Sequence, residues 1–279
     1  MRAGPEAAVR LHSAVACAVS IVLLASGCSR LTFIKPSMGS GDYERTSPTY
    51  EFRDDPGAKQ KTQLRSHLVL AANALRIDKL EEAESQVRAA LKIDAGSADA
   101  NTLLAVVEDR RGNAAKAGGY YAKAAELAPQ QGAALNNYGA WLCSNGRAAE
   151  SLAWFDRALA DATYRQRASA LANAGSCALQ AGQAGRVERD LREALSLDPT
   201  EATALAAMAD YQYRTGHYMD ARAFSERRLA AAPATAAALL LASQIEEKLG
   251  DRAAAARYVQ RLRTEFPQMG TLQPGDSSQ

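Results

Sequence analysis

Small residues recur at every thirty-fourth position over most of this chain, and a larger side chain usually follows sixteen residues later. Six units, 64–97, 98–131, 132–165, 168–201, 202–235 and 236–269, carry Ala71, Ala105, Gly139, Gly175, Ala209 and Ser243 at their eighth position. The twentieth position is again small: Ala83, Ala117, Ser151, Val187, Ala221 and Ala255, with Val187 the bulkiest. The twenty-fourth holds Val87, Tyr121, Phe155, Leu191, Ser225 and Val259. A pattern of this length predicts a pair of helices, A and B, in each unit. They touch where both side chains are small, and the twenty-fourth residue fills the space between them. Position 27 is Ala90, Ala124, Ala158 and Ala194 in the first four units but Arg228 and Leu262 in the last two, so packing there is expected to differ.

Glycine and proline punctuate the same beat. Gly112, Gly146, Gly182, Gly216 and Gly250 are spaced 34, 36, 34 and 34 residues apart, and Pro129, Pro199, Pro233 and Pro267 are spaced 70, 34 and 34. The glycines fall between helices A and B, where the chain leaves a helix through a left-handed conformation. The prolines fall after helix B, where they end it. Thirty-four residues is the length of the tetratricopeptide repeat (TPR). The predicted fold is all-α, a TPR superhelix of six helix-turn-helix repeats. Such an α-solenoid accumulates stability by stacking neighbouring hairpins. The first unit has Asp78 and Ala95 at the glycine and proline positions and reads as a divergent cap. Two extra residues near Arg165-Gln166-Arg167, with Thr163 in place of the proline, predict a local change of pitch between the third and fourth units.

The segments outside the repeats read differently. Arg2 and Arg10 precede an apolar run from Ala14 to Ala25, too short for an ordinary transmembrane helix, which ends at Leu24-Ala25-Ser26-Gly27-Cys28. Residues 1–27 are therefore expected to be a lipoprotein signal peptide, with Cys28 the lipidated residue after cleavage. Several acyl chains, at about 0.8 kcal/mol per buried methylene, anchor a protein stably where one short chain does not. Residues 28–63 are rich in Gly, Ser, Pro and charge and are expected to form a flexible tether with a mean reach on the order of 30 Å. Residues 64–269 form the repeat domain, and 270–279 read as a disordered tail.

Composition narrows the function. The chain of 279 residues is 47% hydrophobic with a formal charge of +2, so it lacks the basic excess of a general nucleic-acid binder. His67 and His217 are about 150 residues apart, and no His/Cys set has metal-ligand spacing. No glycine-rich phosphate loop follows a strand. The expectation is a binding protein with no catalytic residues, cofactor, metal or small-molecule substrate.

The third unit carries Asn136-Asn137-Tyr138-Gly139-Ala140-Trp141-Leu142-Cys143, then Ser144-Asn145-Gly146-Arg147, then Phe155-Asp156-Arg157-Ala158-Leu159-Ala160-Asp161. Unit four adds Asn173-Ala174-Gly175-Ser176-Cys177. These stretches closely resemble the PilF/PilW family of type IV pilus biogenesis lipoproteins, as do the six repeats after a lipobox and tether. The departures are Trp141, where phenylalanine is usual, and Ala162, where a proline follows the aspartate. Ser29 after the lipidated cysteine resembles lipoproteins carried to the outer membrane. The resemblance implies a pilotin. Such a protein is lipid-anchored at the periplasmic face of the outer membrane, where it binds the type IV pilus secretin and promotes its localisation or multimerisation. It thereby supports pilus biogenesis and twitching motility. The alternative within the same fold is a TPR adaptor for outer-membrane protein assembly or for peptidoglycan hydrolases.

Cys143 and Cys177 lie 34 residues apart on the A helices of consecutive units. In an oxidising compartment they are candidates for a disulfide joining units three and four; the other reading is two small buried thiols. Partner-binding candidates lie at helix-A positions 2, 5, 6, 9, 12 and 13, on the expected concave wall. They include Asn136, Asn137, Ala140, Asn173, Ser176, Asp210 and Tyr213. An asparagine amide donates and accepts at once, which suits an extended peptide; alternatively these amides bond neighbouring helices. An amphipathic segment against Leu68, Leu75 or Val106 is a second mode. Tyr138 and Trp141 are expected to pack between repeats.

Overall fold

The computed structural model describes residues 56–269. The signal peptide, Cys28, most of the expected tether and the tail lie outside the described residues. Among the described residues, twelve α-helices follow one another as six antiparallel hairpins: α1 (Pro56–Arg76) with α2 (Leu80–Ile93), α3 (Ala98–Arg110) with α4 (Ala114–Leu127), α5 (Gly132–Ser144) with α6 (Ala148–Ala160), α7 (Arg167–Gln180) with α8 (Ala184–Leu197), α9 (Ala202–Arg214) with α10 (Tyr218–Ala231), and α11 (Ala236–Leu249) with α12 (Arg252–Glu265). A short 3-10 turn, Pro267–Met269, closes the array. Each helix packs on the next, and each A helix also touches the A helix of the following hairpin. This is the tetratricopeptide superhelix expected from the period. The first helix begins at Pro56, so residues 56–63, placed in the tether by the repeat register, are helical. Proline suits the first helical turn, where its missing N–H has no partner to lose.

The hairpins close on the pairing of positions 8 and 24. A Cβ added to Gly139 would meet the Phe155 ring at 3.0 Å, and one added to Gly175 would meet the Leu191 side chain at 2.5 Å. In these two units the filler lies directly against the A-helix backbone, with little room for a side chain at position 8. Where position 8 is Ala71 or Ala105, it shares a core cluster with Val87 or Tyr121 of its own hairpin. Position 27 is fully buried as Ala90, Ala124, Ala158 and Ala194, whereas Arg228 and Leu262 are half-buried, so packing there does differ.

The turns follow the punctuation. All five repeat glycines between A and B have positive φ, from 71° to 83°, and Asp78 takes the same left-handed conformation at φ 58° in the first hairpin. Aspartate is among the few side-chain-bearing residues that visit this region. The turn is also held from the next hairpin, where the Arg110 guanidinium donates to the Leu75 carbonyl and to Asp78.

The junction between the third and fourth hairpins is stitched in several ways. Asp161 Oδ1 accepts from the Thr163 N–H at 2.8 Å and its hydroxyl at 2.7 Å, and Oδ2 accepts from the Gly132 N–H at 2.9 Å. Asp198 holds Thr200 in the same way, at 2.8 and 2.7 Å, one hairpin later. Ala162, rather than the Thr163 that the 34-residue period puts there, therefore occupies the place of Pro199, and the aspartate-threonine turn forms without proline. The extra residues, Arg165 and Gln166, follow this turn before α7 begins. Tyr164 folds back over Gly132, which has no room for a side chain. Arg186 of α8 pairs with Asp156 of α6 through two bonds at 2.9 and 2.5 Å, and with the buried Asp190 at 2.9 Å. Cys143 and Cys177, both nearly buried, form a disulfide between α5 and α7 with Cα atoms 5.9 Å apart. On the loop-entropy account a crosslink over such a span contributes about 3–4 kcal/mol.

Two outcomes follow from this packing. Gly175→Val drives a branched side chain into Leu191 and is expected to lower stability by about 1–3 kcal/mol, as overpacked cores do, read from urea unfolding. The bonds from Gly132 and from Thr163 hold the Asp161 carboxyl below the usual aspartate range. Its stabilising contribution is complete above the ordinary aspartate pKa of about 3.9 and is lost as pH falls through the lower folded value. Asp161→Asn should therefore be less stable than the wild type near pH ~6, with the gap closing toward pH ~3, as read from urea midpoints.

Candidate functional site

The A helices make one wall of the superhelix, and two depressions open on it. The N-terminal depression, of about 370 Å³, lies across α1, α3 and α5. Leu68, Val69, Ala72 and Leu103 supply its apolar floor, with Arg65, Asp99 and Asn137 at the edges. The C-terminal one, of about 600 Å³, lies across α7, α9 and α11. Leu179, Ala206, Leu240 and Leu241 line it, with Ser176, Asp210 and Arg214 among its polar groups. Most of these residues stand at positions 2, 5, 6, 9, 12 and 13 of their units, as expected for the concave wall. Val69 and Leu240 are 52% and 40% exposed, so each depression offers apolar surface that no group among the described residues covers.

The structure divides the candidate residues three ways. Asn137, Ser176 and Asp210 line the depressions. Asn136 and Asn173 are instead tied to each other: the Asn173 amide donates to Asn136 Oδ1 at 3.2 Å, and Asn136 is 8% exposed. This bond joins α5 to α7 alongside the disulfide, which is the interhelical alternative for these two amides. Ala140 packs against the core cluster around that bridge, and Tyr213 packs on the Tyr218 ring, 5.7 Å centroid to centroid. Of the apolar trio, Leu68 lines a depression, Leu75 is buried, and Val106 packs against two core clusters.

The aromatic residues of the third hairpin are structural. Trp141 covers Gly118 of the preceding hairpin so closely that a Cβ there would fall 2.2 Å from the indole. Tyr138 stacks on Trp141 and meets Trp154 edge-on at 4.7 Å, while the Arg157 guanidinium lies 4.4 Å above the Trp154 ring. The ring contacts lie within the third hairpin, while Trp141 and Tyr138 also pack on the cluster of Ala105, Ala117 and Tyr121 in the second, the packing between repeats expected of them. A residue that sequence reasoning placed only as a packing anomaly, Arg228, also lines the C-terminal depression. Its signal was the break in the run of alanines at position 27.

The wall has the chemistry of a peptide receptor. Shallow apolar floors with a few charged and amide groups suit an amphipathic segment laid across several A helices. Among the described residues no cluster of His, Cys, Asp or Glu could hold a metal ion. His67 is bonded to Gln86 at 2.7 Å and His217 to Thr215 at 3.0 Å, each within or beside its own hairpin. Among the described residues no helix is long and apolar enough to cross a membrane.

No protein-family model matches the chain. It is similar to the type IV pilus assembly protein PilF of Pseudomonas aeruginosa, with 28% identity over 202 residues that span 72% of this chain and 80% of that protein. The crystal structure of PilW, a widely conserved type IV pilus biogenesis factor, matches with a TM-score of 0.66 and 30% identity, over 73% of this chain and 94% of PilW. The structure of Pseudomonas aeruginosa PilF matches with a TM-score of 0.66 and 27% identity, over 75% of this chain and 94% of that one. A tetratricopeptide repeat protein from Parabacteroides merdae, at 19% identity and a TM-score of 0.58 over 76% of this chain and 80% of its own, shares the fold alone.

Proposed function

Taking as premise that the chain belongs to the PilF/PilW family of type IV pilus biogenesis proteins, a family of assembly factors rather than enzymes, we propose that it is a pilotin. It is held at the periplasmic face of the outer membrane by acyl chains on Cys28. Its helix-A wall binds the secretin of the type IV pilus and promotes the secretin's outer-membrane localisation and multimerisation. Pilus biogenesis and twitching motility depend on that step.

The observation that carries this reading is the wall itself. Two apolar depressions with exposed Val69 and Leu240 lie on the same face of a chain whose family works in pilus assembly. An apolar groove between helix pairs is a form of site that receives an amphipathic segment. The junction between the depressions is tied by a disulfide and the Asn136–Asn173 bond, which join the two halves of the wall. The tether gives the wall room to meet a partner a short distance from the membrane, on the order of 30 Å for a flexible chain of that length.

Deleting the gene should leave the secretin without its heat-resistant multimers, detected by immunoblot after mild heating, and should abolish twitching. The wild-type chain should restore both, and a Cys28→Ala variant should restore them poorly because it is not held at the membrane. Normal multimers in the normal membrane fraction of the deletion strain would remove the pilotin reading.

A further inference from the structure

Arg228 is the one position-27 residue with a charge, and it lines the C-terminal depression. The equivalent alanines of the first four hairpins are fully buried. Its Nη1 donates to the carbonyls of Ala232 and Pro233, both at 3.2 Å, beyond the end of its own helix. Among the described residues no carboxylate comes within ion-pair range of it. A guanidinium has five N–H donors in a planar fork. Two carbonyls at the C-terminal end of its own helix, both reached through one nitrogen, leave the rest of the fork without a bonded partner among the described residues. Across the groove, Asp210 is the sole carboxylate of the lining, and Arg214 already holds both of its oxygens at 2.8 Å. Two arginines therefore face one aspartate over a floor of leucines and alanines.

We propose that the C-terminal depression receives an acidic, apolar peptide segment of the partner, whose carboxylate pairs with Arg228 while an adjoining aliphatic side chain packs on Leu240. The inference rests on the preceding reading that the partner is the secretin, and adds which groove it enters and by what chemistry. An arginine fork matches a carboxylate bidentately, and a half-buried site screens the pair less than open water does. A free phosphate or acetate would satisfy Arg228 but leave Leu240 and the alanines uncovered. A flat lipid surface would not follow a depression of about 600 Å³. A peptide carrying both kinds of group fits both features.

The test uses the full mature chain and purified secretin subunits, with affinity measured at ~50 and ~300 mM salt, where exposed charge pairs are screened to different extents. Arg228→Gln removes the charge and is too short to reach both carbonyls, so its thermal unfolding should fall slightly below that of the wild type while the chain stays folded at the assay temperature. It should weaken secretin binding about tenfold and flatten the salt dependence, because a charged partner is left unpaired. Arg228→Lys should recover part of the loss, and Arg228→Glu should bind worse than Arg228→Gln. If Arg228→Gln binds as the wild type does, or loses affinity with the salt dependence unchanged, the carboxylate pairing is wrong and the secretin reading stands. If the wild-type chain itself does not bind the secretin, that reading and this inference fail together.

Discussion

The close approach of the two helices in each hairpin sets everything built on it. A helix presenting glycine or alanine at position 8 lets the residue at position 24 reach its backbone. Gly139 under Phe155 and Gly175 under Leu191 are the extreme cases. That contact fixes the angle of each hairpin, and the hairpins then stack because none covers its apolar face alone. The A helices are thereby brought side by side into a wall, and the depressions are the spaces left where small residues at wall positions lie between larger ones.

The two glycine-bearing hairpins also flank the one irregular junction. Here the period slips, and the structure compensates with bonds of different kinds on different faces. The disulfide and the Asn136–Asn173 bond join the A helices, Arg186 joins the B helices, and Asp161 fixes the connecting turn. Farther along, the Arg222 guanidinium grips the buried Glu246 of the next hairpin with two bonds. Removing one partner of such a pair would strand a buried charge, which costs more than the pair contributes when intact. The wall is thus cross-linked in its middle and carries its apolar openings on either side.

Much of this could be read before any coordinates. The glycines that turn left-handed, the small-against-large pairing, the family-like motif of the third unit and the cysteine pair all follow from residue identity at fixed spacing. What the repeat could not report was anything set by rotation or by neighbours off the period. The extension of α1 back to Pro56 was not legible because residues before the first unit have no repeat to register them against. Asn136 and Asn173 look like offered amides in a linear reading, yet adjacent helices turn them toward each other. Arg228 was legible only as a misfit among alanines, since its place beside the groove depends on how the fifth and sixth hairpins meet.

The central claim is that the partner meets the helix-A wall. Photo-cross-linking in living cells, with a photoreactive residue at one position at a time, tests it most directly. Val69 and Leu240 lie in the two depressions, whereas Met219, 63% exposed, lies on helix α10 away from them. The account predicts secretin adducts from positions 69 and 240 and none from 219. Adducts from 219 with none from 69 or 240 would contradict it.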